Sequence, residues 1–331
     1  MKNNNSISKV FILKMSSCFF AAMAVSLVVT FLSTASLADG SYKRMIVFGD
    51  SLSDLGTYAR AAGPMGGGQF TTNPGPIWAK LVANKLGLSL KVNRQEGFGL
   101  PLKIVGGFDY AQGGARIAVT NSSSTDTKST ARPLKEQLGY FLADYKNFKS
   151  DDLVFMQGGA NDLFAQLTAL GAGQISAQQA IENMQTAALD LAALVSEVNQ
   201  AGAEHLVIIN LPAIEQTPRV LAFDPQTQKL IQMMVQTFNQ VLRQQTLTAK
   251  ATYIDFYSFD VQFNQNYQQY GFTNISQPAC RIDVLPGQSS LFCGIKSLVN
   301  PKANLFYKFA DAIHPTTGFS RVVAQFIYSQ L

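Results

Sequence analysis

Three residues far apart in this chain could together perform nucleophilic acyl chemistry. Ser51 stands in Gly49-Asp50-Ser51-Leu52-Ser53-Asp54, just after the apolar run Met45–Phe48. A serine one turn past a strand acts as a nucleophile when a base reaches it; a helix N-cap is the ordinary alternative. The motif is not a Gly-x-Ser-x-Gly elbow, because Ser53 takes the place of the second glycine. Bases are scarce, since the 331 residues hold two histidines, His205 and His314. His205 opens an apolar run after Gly202-Ala203-Glu204 and reads as a strand-end residue. His314 sits in Asp311-Ala312-Ile313-His314-Pro315. An Asp and a His three apart in a turn can share a side, so that the carboxylate accepts from one ring nitrogen and leaves the other facing outward as a base.

Two glycine-containing loops could supply hydrogen-bond donors: Tyr110-Ala-Gln-Gly113-Gly114-Ala115 and Gly158-Gly159-Ala160-Asn161-Asp162. One backbone N–H, the Asn161 amide and the N–H of the nucleophile would form a three-donor oxyanion hole. The structural alternative is that the glycines only turn the chain and Asn161 caps a helix.

The elements that must position these residues alternate. Strand patterns cover Met45–Phe48, Asp152–Met156, His205–Leu211 and Thr252–Phe256. Helical spacing covers Pro76–Leu86, Ala177–Ala201, Gln226–Ala249 and Thr316–Gln330. Strands separated by helices of this length predict βαβ crossovers and a parallel sheet covered on both faces. Ligands then gather at the C-terminal strand ends, where the candidate loops lie. Two stretches are irregular, Gly63–Gly68 and Asn274–Asn300. The first lacks the Gly-Lys-Ser/Thr ending of a phosphate loop and reads as a mobile surface loop.

Composition narrows the class. With 47% hydrophobic and 14% charged residues and a mean hydropathy of +0.08, the chain is neither disordered nor fibrous. The formal charge is +5 without a Lys/Arg-rich run, which argues against nucleic acid as a partner. Two histidines argue against a His-rich metal site. Residues 1–38 read as a secretory signal peptide: Lys2, Lys9 and Lys14, then an uncharged stretch to Ala38, with small residues at −3 and −1 (Ser36, Ala38). An uncleaved anchor is the rival reading. Cys18 precedes the apolar run, which argues against a lipoprotein. Cleavage would leave residues 39–331 as one domain of 293 residues with charge +2 and two cysteines, Cys280 and Cys293. An even count in an exported chain predicts a disulfide between them, worth about 3 kcal/mol in the loop-entropy model.

In order along the chain, Gly49-Asp50-Ser51-Leu52, Gly113 in Ala-Gln-Gly-Gly-Ala, Gly159-Ala-Asn161-Asp162 and Asp311-Ala-Ile-His314-Pro315 resemble the four blocks of the SGNH (GDSL) hydrolase family. The likeness is to the passenger domains of bacterial autotransporter esterases and to secreted GDSL phospholipases and acyltransferases; Leu211-Pro212 and the cysteine pair also fit. No β-barrel follows Leu331, so anchoring of the autotransporter kind is not expected. The resemblance implies a flavodoxin-like, three-layer α/β/α SGNH-hydrolase fold with a mainly parallel central sheet. It implies Ser51 as nucleophile, His314 as base and then acid, Asp311 as its orienter, and Ser51 N–H, Gly113 N–H and Asn161 at the oxyanion, with Gly114 the alternative to Gly113.

The expected function is a secreted or periplasmic esterase or lipase, of the lysophospholipase or acyltransferase kind, working through an acyl-enzyme without metal or organic cofactor. Its partners are small-molecule or lipid esters, with transient apolar membrane contact, and the chain is expected to be a monomer. A carbohydrate O-deacetylase and a non-catalytic secreted binding module are the alternatives. Segments 55–75 and 264–305 are expected to set pocket width, with Phe70, Trp78, Phe98 and Phe272 either lining a cleft or packed in the fold.

Overall fold

The computed structural model describes residues 42–119 and 130–331, and the signal-peptide expectation for residues 1–38 lies outside them. The described strands are β1 (Arg44–Phe48), β2 (Arg94–Gly97), β3 (Leu100–Ile104), β4 (Asp152–Gln157), β5 (His205–Ile209), β6 (Ala251–Ile254), β7 (Asn274–Pro278) and β8 (Tyr307–Phe309). Apolar runs bounded by Gly, Pro or Asp produce the central strands, because an extended segment buried on both faces needs no polar alternation. They pair in parallel in the order β1-β4-β5-β6. A rudimentary strand at Asp109 bridges the outer edge of β1 through Val47. Counting it gives the flavodoxin-like strand order.

Alternate residues feed two cores, as the period of two in a strand requires. Ile46, Phe48, Val154, Met156, Leu206 and Ile208 pack against the helices Leu134–Tyr145, Ala160–Gly171, Ala177–Gln200 and Pro225–Gln245. Met45, Val47, Leu153, Phe155, Val207 and Ile209 pack against Trp78–Lys85, Phe256–Asn266 and Thr317–Tyr328. This is the expected three-layer α/β/α architecture.

Several boundaries differ for local reasons. The strand expected over Thr252–Phe256 ends at Ile254, because Asp255 turns to cap the next helix by accepting from Ser258 N–H. Pro225 and the Asp224 cap start their helix one residue early, and it ends at Gln245. The Gly63–Gly68 stretch is exposed over Gly63–Gly66, as a surface loop should be, and is anchored at its far end. Gly63–Met65 forms a 3₁₀ turn, and Gly68 N–H donates to Leu291 O at 2.9 Å. At Gly67 a Cβ would lie 2.0 Å from Leu291 O, so only glycine allows this backbone to seat on the segment between the cysteines. Cys280 and Cys293 form the predicted disulfide. Among the described residues no helix is long and apolar enough to cross a membrane.

Candidate active site

Ser51 leaves the C-terminal end of β1 in a turn held by buried amides. Leu52 N–H donates to Asp50 Oδ1 at 2.9 Å, and Ser53 N–H to Asp50 O at 3.1 Å. Gln137, on the helix that crosses over β1, reads both sides of one peptide position. Its Oε1 accepts from Gly49 N–H at 2.9 Å and its Nε2 donates to Gly49 O at 2.8 Å. Gln157, at the end of β4, donates to Asp50 Oδ2 at 3.1 Å and accepts from Ser53 Oγ at 3.2 Å. Burial pushes the Asp50 carboxyl up to about 6, against the hydrogen bonds from Leu52 and Gln157 and the charge of His314.

His314 approaches from the turn between β8 and the helix Thr317–Tyr328. Its Nε2 lies 2.8 Å from Ser51 Oγ, and its Nδ1 lies 2.7 Å from Asp311 Oδ2. The other carboxylate oxygen, Oδ1, accepts from Ile313 N–H at 2.8 Å and His314 N–H at 2.7 Å, which closes the turn on itself. Burial alone would raise the Asp311 carboxyl. The His314 charge, together with hydrogen bonds from His314 and Ser290, outweighs it and holds the group well below the usual carboxylate range. The Phe70 ring lies 5.0 Å from the imidazole, and Thr71 Oγ1 donates to Pro315 O at 2.9 Å. His205 is at the opposite, N-terminal end of its strand, beside Tyr42, as its sequence setting predicts.

The oxyanion expectation needs one correction. Gly113 N–H does not face the serine; it donates to Asp54 Oδ2 at 2.9 Å. The physical reason is that Asp54 is fully buried and needs donors, and it collects Gly56 and Thr57 N–H as well as Gly113. A Cβ at Gly113 would also strike the Phe70 ring at 2.2 Å. Gly114, the alternative, has the left-handed φ of 84° that glycine tolerates. Asn161 is the second residue of the helix after β4 and does not cap it; Gly159, at φ 112°, occupies the cap position. Asn161 Nδ2 donates to Ala115 O at 2.9 Å, which ties the two donor loops together and orients an amide nitrogen that carries two protons.

Residues 45–327 match the family described as GDSL-like Lipase/Acylhydrolase. The chain belongs to this family of ester hydrolases. Among curated relatives of this GDSL-like chain, Esterase EstA of Pseudomonas aeruginosa is 28% identical over 345 residues, covering 91% of the chain and 48% of the relative. A phosphatidylcholine-sterol acyltransferase of Aeromonas hydrophila is 27% identical over 196 residues, covering 56% of the chain and 50% of that protein. The chain thus spans about half the length of these relatives. An α/β hydrolase enzyme from the metagenome of Lake Arreo, Spain, superposes over 87% of this chain and 94% of its own at 14% identity, with a TM-score of 0.44, a likeness too loose to bear on fold or function.

Sequence reasoning missed several residues that shape this GDSL-like site. Gln137 and Gln157 are polar residues in apolar patterns, a signal that was available in the sequence. Phe70 lies at a tilt beside the His314 ring, whereas Trp78 and Phe272 pack in the core under the sheet. Phe98 sits between Tyr58 and Phe292 at 5.5 and 5.9 Å. Among the described residues no group of three His, Cys, Asp or Glu could hold a metal ion.

Proposed function

We propose that this protein is an exported serine esterase that cleaves carboxylic esters of lipids through a Ser51–His314–Asp311 triad. The observation that carries this reading is the continuous hydrogen-bond path from Ser51 Oγ to His314 Nε2 and from His314 Nδ1 to Asp311, both links under 3 Å. In the first step His314 takes the Ser51 proton as Oγ attacks the ester carbonyl, and Asp311 stabilises the imidazolium that forms. The tetrahedral oxyanion is met by Ser51 N–H and the Asn161 amide. His314 then gives the proton to the leaving alcohol, and the acyl group remains on Ser51. Water, or a second alcohol, takes the acyl group by the same steps in reverse order.

The lipid substrate class is supported by the name of the acyltransferase relative and by the aromatic side chain of Phe70 beside His314, which continues through Tyr58 to Phe98 and Phe292. Export is supported by the disulfide, which persists in oxidising compartments, and by the character of residues 1–38.

Hydrolysis of p-nitrophenyl esters from acetyl to palmitoyl, and of a lysophospholipid, by the wild type and Ser51→Ala tests the reading. Loss of a triad nucleophile should lower kcat by about 10⁴-fold or more, with a maximum at medium or long chains. Undiminished activity of Ser51→Ala overturns the mechanism. A maximum at acetyl moves the substrate class to acetylated carbohydrates.

A further inference from the structure

The loop closed by Cys280 and Cys293 reaches the candidate site through one backbone atom. Ser290 N–H donates to Asp311 Oδ2 at 2.7 Å, the same oxygen that meets His314 Nδ1. We propose that Ser290 is a positioning residue for ester hydrolysis: its main-chain N–H fixes the plane of the Asp311 carboxylate, and through it the imidazole. The proposal rests on the triad reading above.

The geometry separates two kinds of restraint on Asp311. The donors to Oδ1 come from Ile313 and His314, within its own turn, and move with it. Among the described residues, Ser290 is the one donor to this carboxylate from outside the turn. It therefore relates the turn to the rest of the protein, and it places a second donor on the oxygen that must hold the imidazolium.

The loop is built to present that N–H. Ser290 begins the 3₁₀ turn Ser290–Phe292, a position whose N–H has no partner inside the turn. Its own hydroxyl is buried and makes no hydrogen bond within 3.5 Å, though it lies close enough to help lower the Asp311 carboxyl, so the short contact is the main-chain one. Behind the turn, Asn73 Nδ2 donates to Ser290 O at 3.3 Å and Cys293 O at 3.1 Å, and Asn73 N–H donates to Cys293 O at 3.0 Å. At the other end of the disulfide, Cys280 N–H donates to Ala310 O at 3.0 Å, next to Asp311 in sequence. The covalent link thus joins the segment after β7, which hydrogen-bonds to the residue before Asp311, to the end of the turn that carries Ser290.

Ser290→Pro tests this by deleting the donor. Proline lacks the N–H and suits the first position of a helical turn, and Ser289 already has the extended conformation that proline demands of its predecessor, φ −98° and ψ 133°. The expected result is a fall in kcat of about 10- to 100-fold, typical of losing an orienting partner. KM and disulfide content should remain near wild type, the thermal midpoint should fall by no more than the loss of one buried hydrogen bond implies, and labelling of Ser51 by a phosphonofluoridate should slow in parallel with kcat. Ser290→Ala, which keeps the N–H, should lose at least tenfold less than Ser290→Pro.

Because Ser290 acts through Asp311, Ser290→Pro placed on Asp311→Asn should slow the enzyme no further. Wild-type kcat in folded Ser290→Pro, or an additive loss in the double variant, overturns the proposal while leaving the triad standing. Full activity of Asp311→Asn removes the triad reading itself, and this proposal with it. If Ser290→Pro does not fold, the α-hydroxy acid analogue of serine at 290 deletes the same N–H through an ester link and keeps every side chain, and the same outcomes apply.

Discussion

The two halves of the candidate site are held in different ways. Ser51 is fixed by side chains that rise from the sheet and its covering helix: Gln137 clamps Gly49, and Gln157 clamps Asp50 and Ser53. His314 is fixed by loops. Phe70 and Thr71 approach from one irregular segment and Ser290 from another, and Asn73 ties those segments to each other. Ser51 therefore takes its position from the core of the fold. His314 takes its position from loop-to-loop contacts that a local disturbance can release without unfolding the sheet.

Substitutions on the two halves should separate loss of rate from loss of stability. The largest effect lies at the helix after β4. Asn161→Ala should lower kcat by about 100- to 1,000-fold, with a stability loss limited to about 1 kcal/mol for the bond to Ala115 O, because Gly159, not Asn161, caps that helix. Steady-state kinetics beside a melting curve check both parts, and a loss seen only in the melting curve would make Asn161 structural. Next comes Gln137→Ala, which strands the buried N–H of Gly49 and leaves its C=O with the Gln112 N–H alone, at 3.1 Å. It should cost about 2 kcal/mol of stability by denaturant titration, placing the nucleophile's half under the control of the core. A loss of activity at unchanged stability would erase the contrast.

The third effect concerns Asp50. Its folded pKa of about 6 exceeds the ordinary carboxylate value. A raised carboxyl contributes stability that is complete below about pH 4, its unfolded range, and is lost as pH rises through about 6. Asp50→Asn cannot ionise, so its thermal midpoint relative to wild type should climb from pH 4 to pH 7. Asp54 and Asp109, also raised by burial, are common to both proteins and cancel in the comparison. A difference that stays flat with pH would place Asp50 outside the titrating set.

What the sequence revealed divides along similar lines. Runs such as Met45–Phe48 and His205–Ile209 were legible because strands buried on both faces need continuous apolar residues and end at Gly or Asn. The disulfide and the choice of His314 were legible because Cys and His are scarce in the chain, and Ser51 and Asp311 were legible from the motifs that hold them. The helix Leu134–Tyr145 was not, because its inward face includes Gln137 and the apolar period is broken there. Neither was the engagement of Gly113 N–H by Asp54, since that contact joins residues 59 apart and depends on the burial of a carboxylate. The Ser290 contact is a main-chain one and has no residue-type signature at all.

The separation of 263 residues between Ser51 and His314 has a kinetic consequence. Once the sheet has formed, the stretch still to close runs from Ile254 at the end of β6 to His314, and its entropy must be overcome before the contact rewards it. A refolding molecule with its four parallel strands paired would already show most of its circular dichroism and still be inert. Recovery of ester hydrolysis then times the arrival of residues 289–316 on the finished sheet, and the lag between the two signals measures that docking step.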